Sequence, residues 1–215
     1  MKKKCMCLLL SLVLLILCLP AQADISNFFL RTRYGQLLSY ENIPFRYAIQ
    51  VYGGFSMYSD DKLNQMWSNI ALEEGDDEIY DFRYWLSPDN AYEFQVQVKE
   101  QTYDFFATEV ANAPGYIALI EENMKAAGYF NIRQLHEGIL RDTPEGQMLE
   151  TAYAFSITTS SGNQMDIAVV YYDCYYEDIE YIFEVTAYNG DYETAQYLLD
   201  QMVQTVQITP APTYY

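Results

Sequence analysis

His136 is the only histidine in the 215 residues, so a metal site built on several imidazoles, or a Cys/His zinc site, is excluded by composition. Past the first 23 residues, Cys174 is the only cysteine. A Cys174 and His136 nucleophilic pair is therefore the one thiol chemistry open to the chain. The run Tyr172-Asp173-Cys174-Tyr175 argues against it, because Cys174 alternates with Val170 and Tyr172 in strand period, the place of a small buried hydrophobe. No G-x-S-x-G elbow is present, and Asp142-Thr143-Pro144 lacks the glycine of an aspartic-protease triplet and reads as a turn. With 30 acidic residues some carboxylates always lie close together, so proximity alone identifies no acid/base pair. No catalytic residue is assigned.

Glu73, Glu74, Asp76, Asp77 and Glu78 offer oxygen ligands for a hard cation, but their spacing matches no EF-hand and reads as a solvated loop. No metal site and no cofactor is expected. Tyrosine is the other excess, at 22 residues, and its apolar body with a polar tip suits interfaces. The candidate binding residues are Tyr172 and Tyr176, with Arg83 and Trp85, which share a strand face with Asp81 and form an anchor if that face is open.

The N-terminus sets the compartment. Lys2, Lys3 and Lys4 precede an apolar run from Leu8 to Leu19 and the small-x-small site Ala21-Gln22-Ala23, the pattern of a secretory signal peptide cleaved after Ala23. Leu17 stands where a lipoprotein needs a small residue before Cys18. Cleavage leaves 192 of the 215 residues and, with three lysines gone, a charge of -21 in place of -18. Cys5, Cys7 and Cys18 leave with the signal, so no intramolecular disulfide forms. No later segment reaches 18 uninterrupted apolar residues, so no membrane insertion is expected after cleavage.

Charge is unevenly spread. From Asp142 to Tyr215 there are twelve acidic residues and no lysine or arginine. Nucleic-acid binding by this half is excluded, since that affinity rests on cationic side chains displacing counterions. Diffuse cation binding, or a cationic partner, is its natural counterpart.

The elements that position these residues follow from hydrophobic period. Residues 24–43 read as a poorly patterned N-terminal extension, 44–208 as a single α+β domain, and 209–215 as a disordered tail. Residues 46–52 and 55–58 are β-prone and joined by Gly53-Gly54, suited to a bend or hairpin. Ser59-Asp60-Asp61 caps a short helix carrying Leu63, Met66, Trp67 and Ile70 on one face. Residues 78–86 and 92–99 flank the Ser87-Pro88-Asp89-Asn90 turn as a hairpin. Two helices, 103–112 and 114–127, lead to strands at 131–142, 147–158, 164–176 and 179–188, whose short turns force antiparallel neighbours. Asp191 caps a last helix whose stripe is Ala195, Leu198, Leu199, Met202, Val203 and Val206.

A meander with helices on both faces is an α/β/α sandwich around an antiparallel sheet. Gly54-Phe55-Ser56-Met57-Tyr58 ahead of a Trp-containing helix, the meander from Gly146 to Tyr188 and the closing helix from Tyr192 to Val206 together resemble the PsbP-like fold family, the photosystem subunit PsbP and its exported bacterial relatives. The resemblance implies an accessory or interaction module and carries over no functional residue. The expected function is an exported, non-catalytic binding or accessory module acting through contacts with a protein or cell-envelope component. The alternatives are a carbohydrate-binding module using Tyr and Trp surfaces, and a carboxylate-based hydrolase.

Overall fold

The computed structural model describes residues 29–65, 79–101, 107 and 113–209. In chain order these form helix α1 (29–34), strands β1 (Leu37–Asn42), β2 (Tyr47–Tyr52) and β3 (Ser56–Met57), helix α2 (described over 60–65), and strands β4 (Ile79–Leu86) and β5 (Tyr92–Glu100). Helix α3 (Ala113–Ala126), strands β6 (Phe130–Thr143), β7 (Gly146–Thr158), β8 (Gln164–Tyr176) and β9 (Ile179–Ala187), helix α4 (Tyr192–Val203) and β10 (Gln207–Ile208) complete the chain. Seven strands make one antiparallel sheet in the order β3-β4-β5-β9-β8-β7-β6, and three make a smaller sheet, β1-β2-β10. The fold is α+β, as the element order predicts.

Alternation builds the core. In β5 and β9 the register opposes Phe94 with Val185, Val96 with Phe183 and Val98 with Tyr181, every one of them buried. The same face continues through Val170, Tyr172 and Cys174 on β8. Each such side chain contributes about 1.5–3 kcal/mol by leaving water. Helix α4 covers this face where it crosses β8 and β9, burying Ala195, Leu198, Leu199, Met202 and Val203. Asp191 caps it by accepting the Thr194 backbone N–H at 3.1 Å. The small sheet covers the rest, with Tyr47 packed edge-on against Tyr181 and Phe183. Helix α3 lies against β6.

Two expectations need correction. The described part of the 24–43 segment, residues 29–43, is not merely an extension: β1 pairs with β2 from Leu37 opposite Tyr52 to Asn42 opposite Tyr47, and Tyr34 is fully buried among Tyr52, Phe55 and Tyr92. Strand β1 borders β2 alone, so its exposed Leu38 hides the alternation. Gly53-Gly54 forms the bend of the two forms expected, passing the chain from β2 in the small sheet to β3 beside β4. A Cβ on Gly54 would come 2.7 Å from the Tyr34 carbonyl oxygen, so glycine is required by this close approach. Finally, the last helix stops at Val203, and β10 then adds to β2, with the Thr209 N–H donating to the Arg46 carbonyl at 2.9 Å. The helix at 103–112, apart from residue 107, and the acidic run at 73–78 lie outside the described residues.

Strand β6 forms the long outer edge of the large sheet, and its ladder to β7 slips at three places between Phe130 and Ile139. At the opposite edge β3 is two residues long.

Candidate functional site

Two groups of polar side chains sit on the face of the large sheet that bears the core. The first lies under α4. In β7, Met148, Glu150 and Ala152 occupy the inward register, and Glu150 has no exposed surface at all. Its Oε2 accepts from Arg141 Nε on β6, and its Oε1 accepts from Gln196 Nε2 on α4 at 2.7 Å. His136 Nε2 stands 3.5 Å from Oε1 and meets the Tyr192 hydroxyl. Next along, the Tyr172 hydroxyl donates to Asp200 Oδ1. Burial raises the Asp200 carboxyl above its usual range although the Tyr172 hydrogen bond opposes it. A cavity of about 280 Å³ opens beside Arg141, Tyr172 and Asp200.

The second group lies at the other end of β6, β7 and β8, where these strands and the loop after β9 line a cavity of about 570 Å³. The Ser156 hydroxyl donates to Asp166 Oδ1 at 2.7 Å, and Gln164 Nε2 reaches the same oxygen at 3.1 Å. Ser156 also accepts from Asn131 Nδ2 and Gln164 Nε2, each at 3.3 Å. Hydrogen bonds from Ser156 and Gln164 hold the Asp166 carboxyl below its ordinary range. Arg133 and Asn189 complete the polar lining.

The residues singled out from the sequence do not converge. Trp85 is only 4% exposed, its ring 5.0 Å from Tyr40 and 5.2 Å from Phe94. The small sheet covers its face, so it is no surface anchor. Arg83, its neighbour on that face, is held by Asp60 at 2.8 Å and by Asp81 at 2.9 Å. Tyr172 is 4% exposed beneath α4, and Tyr176 packs half-buried against the core. Two intervening strands, β5 and β9, separate the β4 pair from the β8 pair. Cys174 is buried, and burial pushes its thiol far above the ordinary range. His136 pairs with Glu150 and Tyr192, not with Cys174.

Sequence reasoning missed Glu150, Asp200, Arg133 and Asp166. For Glu150 a signal was present: it is the one charge on an otherwise apolar period-two stripe, Met148, Ala152 and Ala154. Arg133 and Asp166 sit far apart in the chain, and only the β6-β7-β8 register brings them to one cavity.

No protein-family model matches the chain, and no curated protein matches it by sequence. Among solved structures, cyanobacterial PsbP (CyanoP) from Synechocystis sp. PCC 6803 is similar with a TM-score of 0.51 at 11% identity, over 80% of this chain and 92% of that one. A point mutant of the protein Mog1 gives 0.50 at 9% identity, over 80% and 96%. LpqN of Mycobacterium tuberculosis, described as involved in cell envelope biogenesis, gives 0.46 at 11% identity, over 81% and 91%. The first two define the class: the chain has the PsbP-like fold that its element order resembles. Among the described residues, no helix is long and apolar enough to cross a membrane.

Proposed function

We propose that the protein is an exported accessory module that works by binding, and that its acidic C-terminal half meets a cationic partner, a protein or a component of the cell envelope. The observation that carries this reading is the state of Glu150. A general base needs a free, reachable oxygen. Glu150 is fully buried, with both oxygens taken by Arg141 and Gln196. Cys174, the one thiol of the mature chain, is likewise buried with its proton held. Fold analogy with CyanoP and Mog1 points the same way, as an association and not a mechanism.

The acidic half divides in two. Glu150, Asp173, Glu180, Glu184, Asp191 and Asp200 turn wholly or partly into the fold, whereas Asp142, Glu145, Asp166, Glu177, Asp178 and Glu193 are exposed. The exposed set is the surface a cationic partner would meet, its pull reaching about 8 Å at physiological ionic strength. A photocrosslinker placed at Glu145 or Glu193 in the exporting cell tests this against one at Glu41 or Glu122, which are exposed outside that half. A net-basic partner captured at the first two positions and lost in high salt is expected. Equal capture at all four positions, or none, would overturn the reading. Intact mass of the exported chain tests compartment separately: it should begin at Asp24.

A further inference from the structure

The larger cavity carries an inference of its own, independent of any protein partner. Arg33, Arg46, Arg83 and Arg141 each hold a carboxylate. Arg133 is exposed, lines the 570 Å³ cavity, and donates to no side chain among the described residues. In a chain of net charge -18, a guanidinium that touches no carboxylate among the described residues is an open anion fork, although Arg133 is near enough to help hold the Asp166 carboxyl low. Facing it across the cavity is a wall already fixed in place. Asp166 has one oxygen locked by Ser156 and Gln164, which leaves the other to accept. Gly190 closes that wall: with φ at +70° it brings the loop so near that an added Cβ would lie 3.3 Å from Asp166 Cβ.

The register sets the span. Arg133 pairs with Ala154 on β7, and Ser156, two residues further along β7, pairs with Asp166 on β8. Arg133 and Asp166 thus start two strands apart and two residues offset, about 12 Å at the usual strand spacing and rise. They form no ion pair. A ligand bridging them needs a carboxylate at one end and hydrogen-bond donors at the other, about one sugar ring away. The amide nitrogens of Asn131 and Gln164 already donate to Ser156, which leaves their carbonyl oxygens to accept from hydroxyl groups between. The volume falls in the range of small-molecule sites. We propose that this cavity binds an acidic sugar of hexuronate size, its carboxylate on Arg133 and its ring hydroxyls on Asp166 and the amides.

Calorimetric titration of the mature chain with D-galacturonate and D-glucuronate, against the neutral sugars D-galactose and D-glucose and against acetate, tests it. At least one uronate should bind, with the matching neutral sugar and acetate each weaker by about tenfold or more, the worth of one charge-assisted contact. Arg133→Gln should cost a similar factor while moving the unfolding temperature little, since Arg133 is exposed and donates to no side chain among the described residues. Asp166→Asn should weaken the uronate too. Absence of uronate binding at millimolar concentration, acetate binding as tightly as uronate, or full affinity in Arg133→Gln would each overturn the proposal. None of these outcomes bears on the crosslinking experiment, which reads different residues.

Discussion

Gln196 on α4 donates to the buried Glu150 carboxylate on β7 at 2.7 Å, and with the Tyr172–Asp200 and His136–Tyr192 contacts this bond ties the last helix to the large sheet. Because Arg141 shares that carboxylate, removing it strands two donors at once. Glu150→Leu should lower stability by about 2–3 kcal/mol, the cost of leaving buried polar groups unpaired. Glu150→Gln, which keeps an acceptor, should cost less. Denaturant midpoints of the two variants decide the order, and the pair Glu150→Leu with Arg141→Leu should recover part of the loss, since the guanidinium then no longer lacks its partner.

Burial pushes the Glu184 carboxyl up to about 7, and raises that of Glu93 nearby on β5. Part of the Glu184 residue surface remains accessible, but its carboxylate lies among protein atoms and accepts from Thr186 at 2.9 Å. In the unfolded chain the same group ionises near 4.5. The folded state therefore binds the proton more tightly, and this contribution to stability is complete below 4.5 and lost as pH rises to about 7. Asp89 and Asp191, whose carboxyls hydrogen bonds hold low against burial, act only below that window. The unfolding temperature should thus be higher at about pH 5.5 than at about pH 8. Glu184→Gln should shrink the difference.

The two glycines of the bend should respond unequally. A Cβ on Gly54 meets the backbone oxygen of Tyr34 at 2.7 Å, which cannot move without disturbing the core, whereas a Cβ on Gly53 meets Leu38 Cδ1, the far end of an exposed side chain, at 2.7 Å. Gly54→Ala should cost about 1–3 kcal/mol and Gly53→Ala clearly less. Thermal melts of both variants are sufficient to rank them.

Cys174 should react with thiol reagents slowly in the native protein and rapidly after denaturation, because its side chain is buried and its proton held. Rapid native labelling would contradict the packing of β8 against α4.

Much of this architecture is legible in the chain, and the parts that are not share a cause. Strands β5 through β9 and α4 announce themselves through apolar runs, alternation and short turns, with β7 buried at every position from Met148 to Ala154. The turn at Ser87-Pro88-Asp89-Asn90 is equally plain: the Asn90 N–H returns to the Ser87 carbonyl at 2.9 Å, with Asn90 at a φ of +57°. Strands β1 and β10 are hidden, since each borders only β2 and its alternation is half solvent. Strand period puts Trp85 on the same face as Arg83, but what covers that face, Tyr40 among it, comes from β1 and β2, far away in sequence. The polar cavity is illegible for the same reason: Arg133 and Asp166 meet through two registers, and periodicity carries no register.

The slipped ladder of β6 has a consequence for the protein in a crowd. A regular outer strand offers the next molecule a continuous row of amide donors and carbonyls, which is how sheets polymerise. Three slips between Phe130 and Ile139 throw that row out of step and twist it locally, so an incoming strand finds matching partners for only a few residues. At the other rim the two residues of β3 pair with only Trp85 and Leu86 of β4. The slips thus work against strand addition at a rim that carries the exposed Ile139 and Leu140.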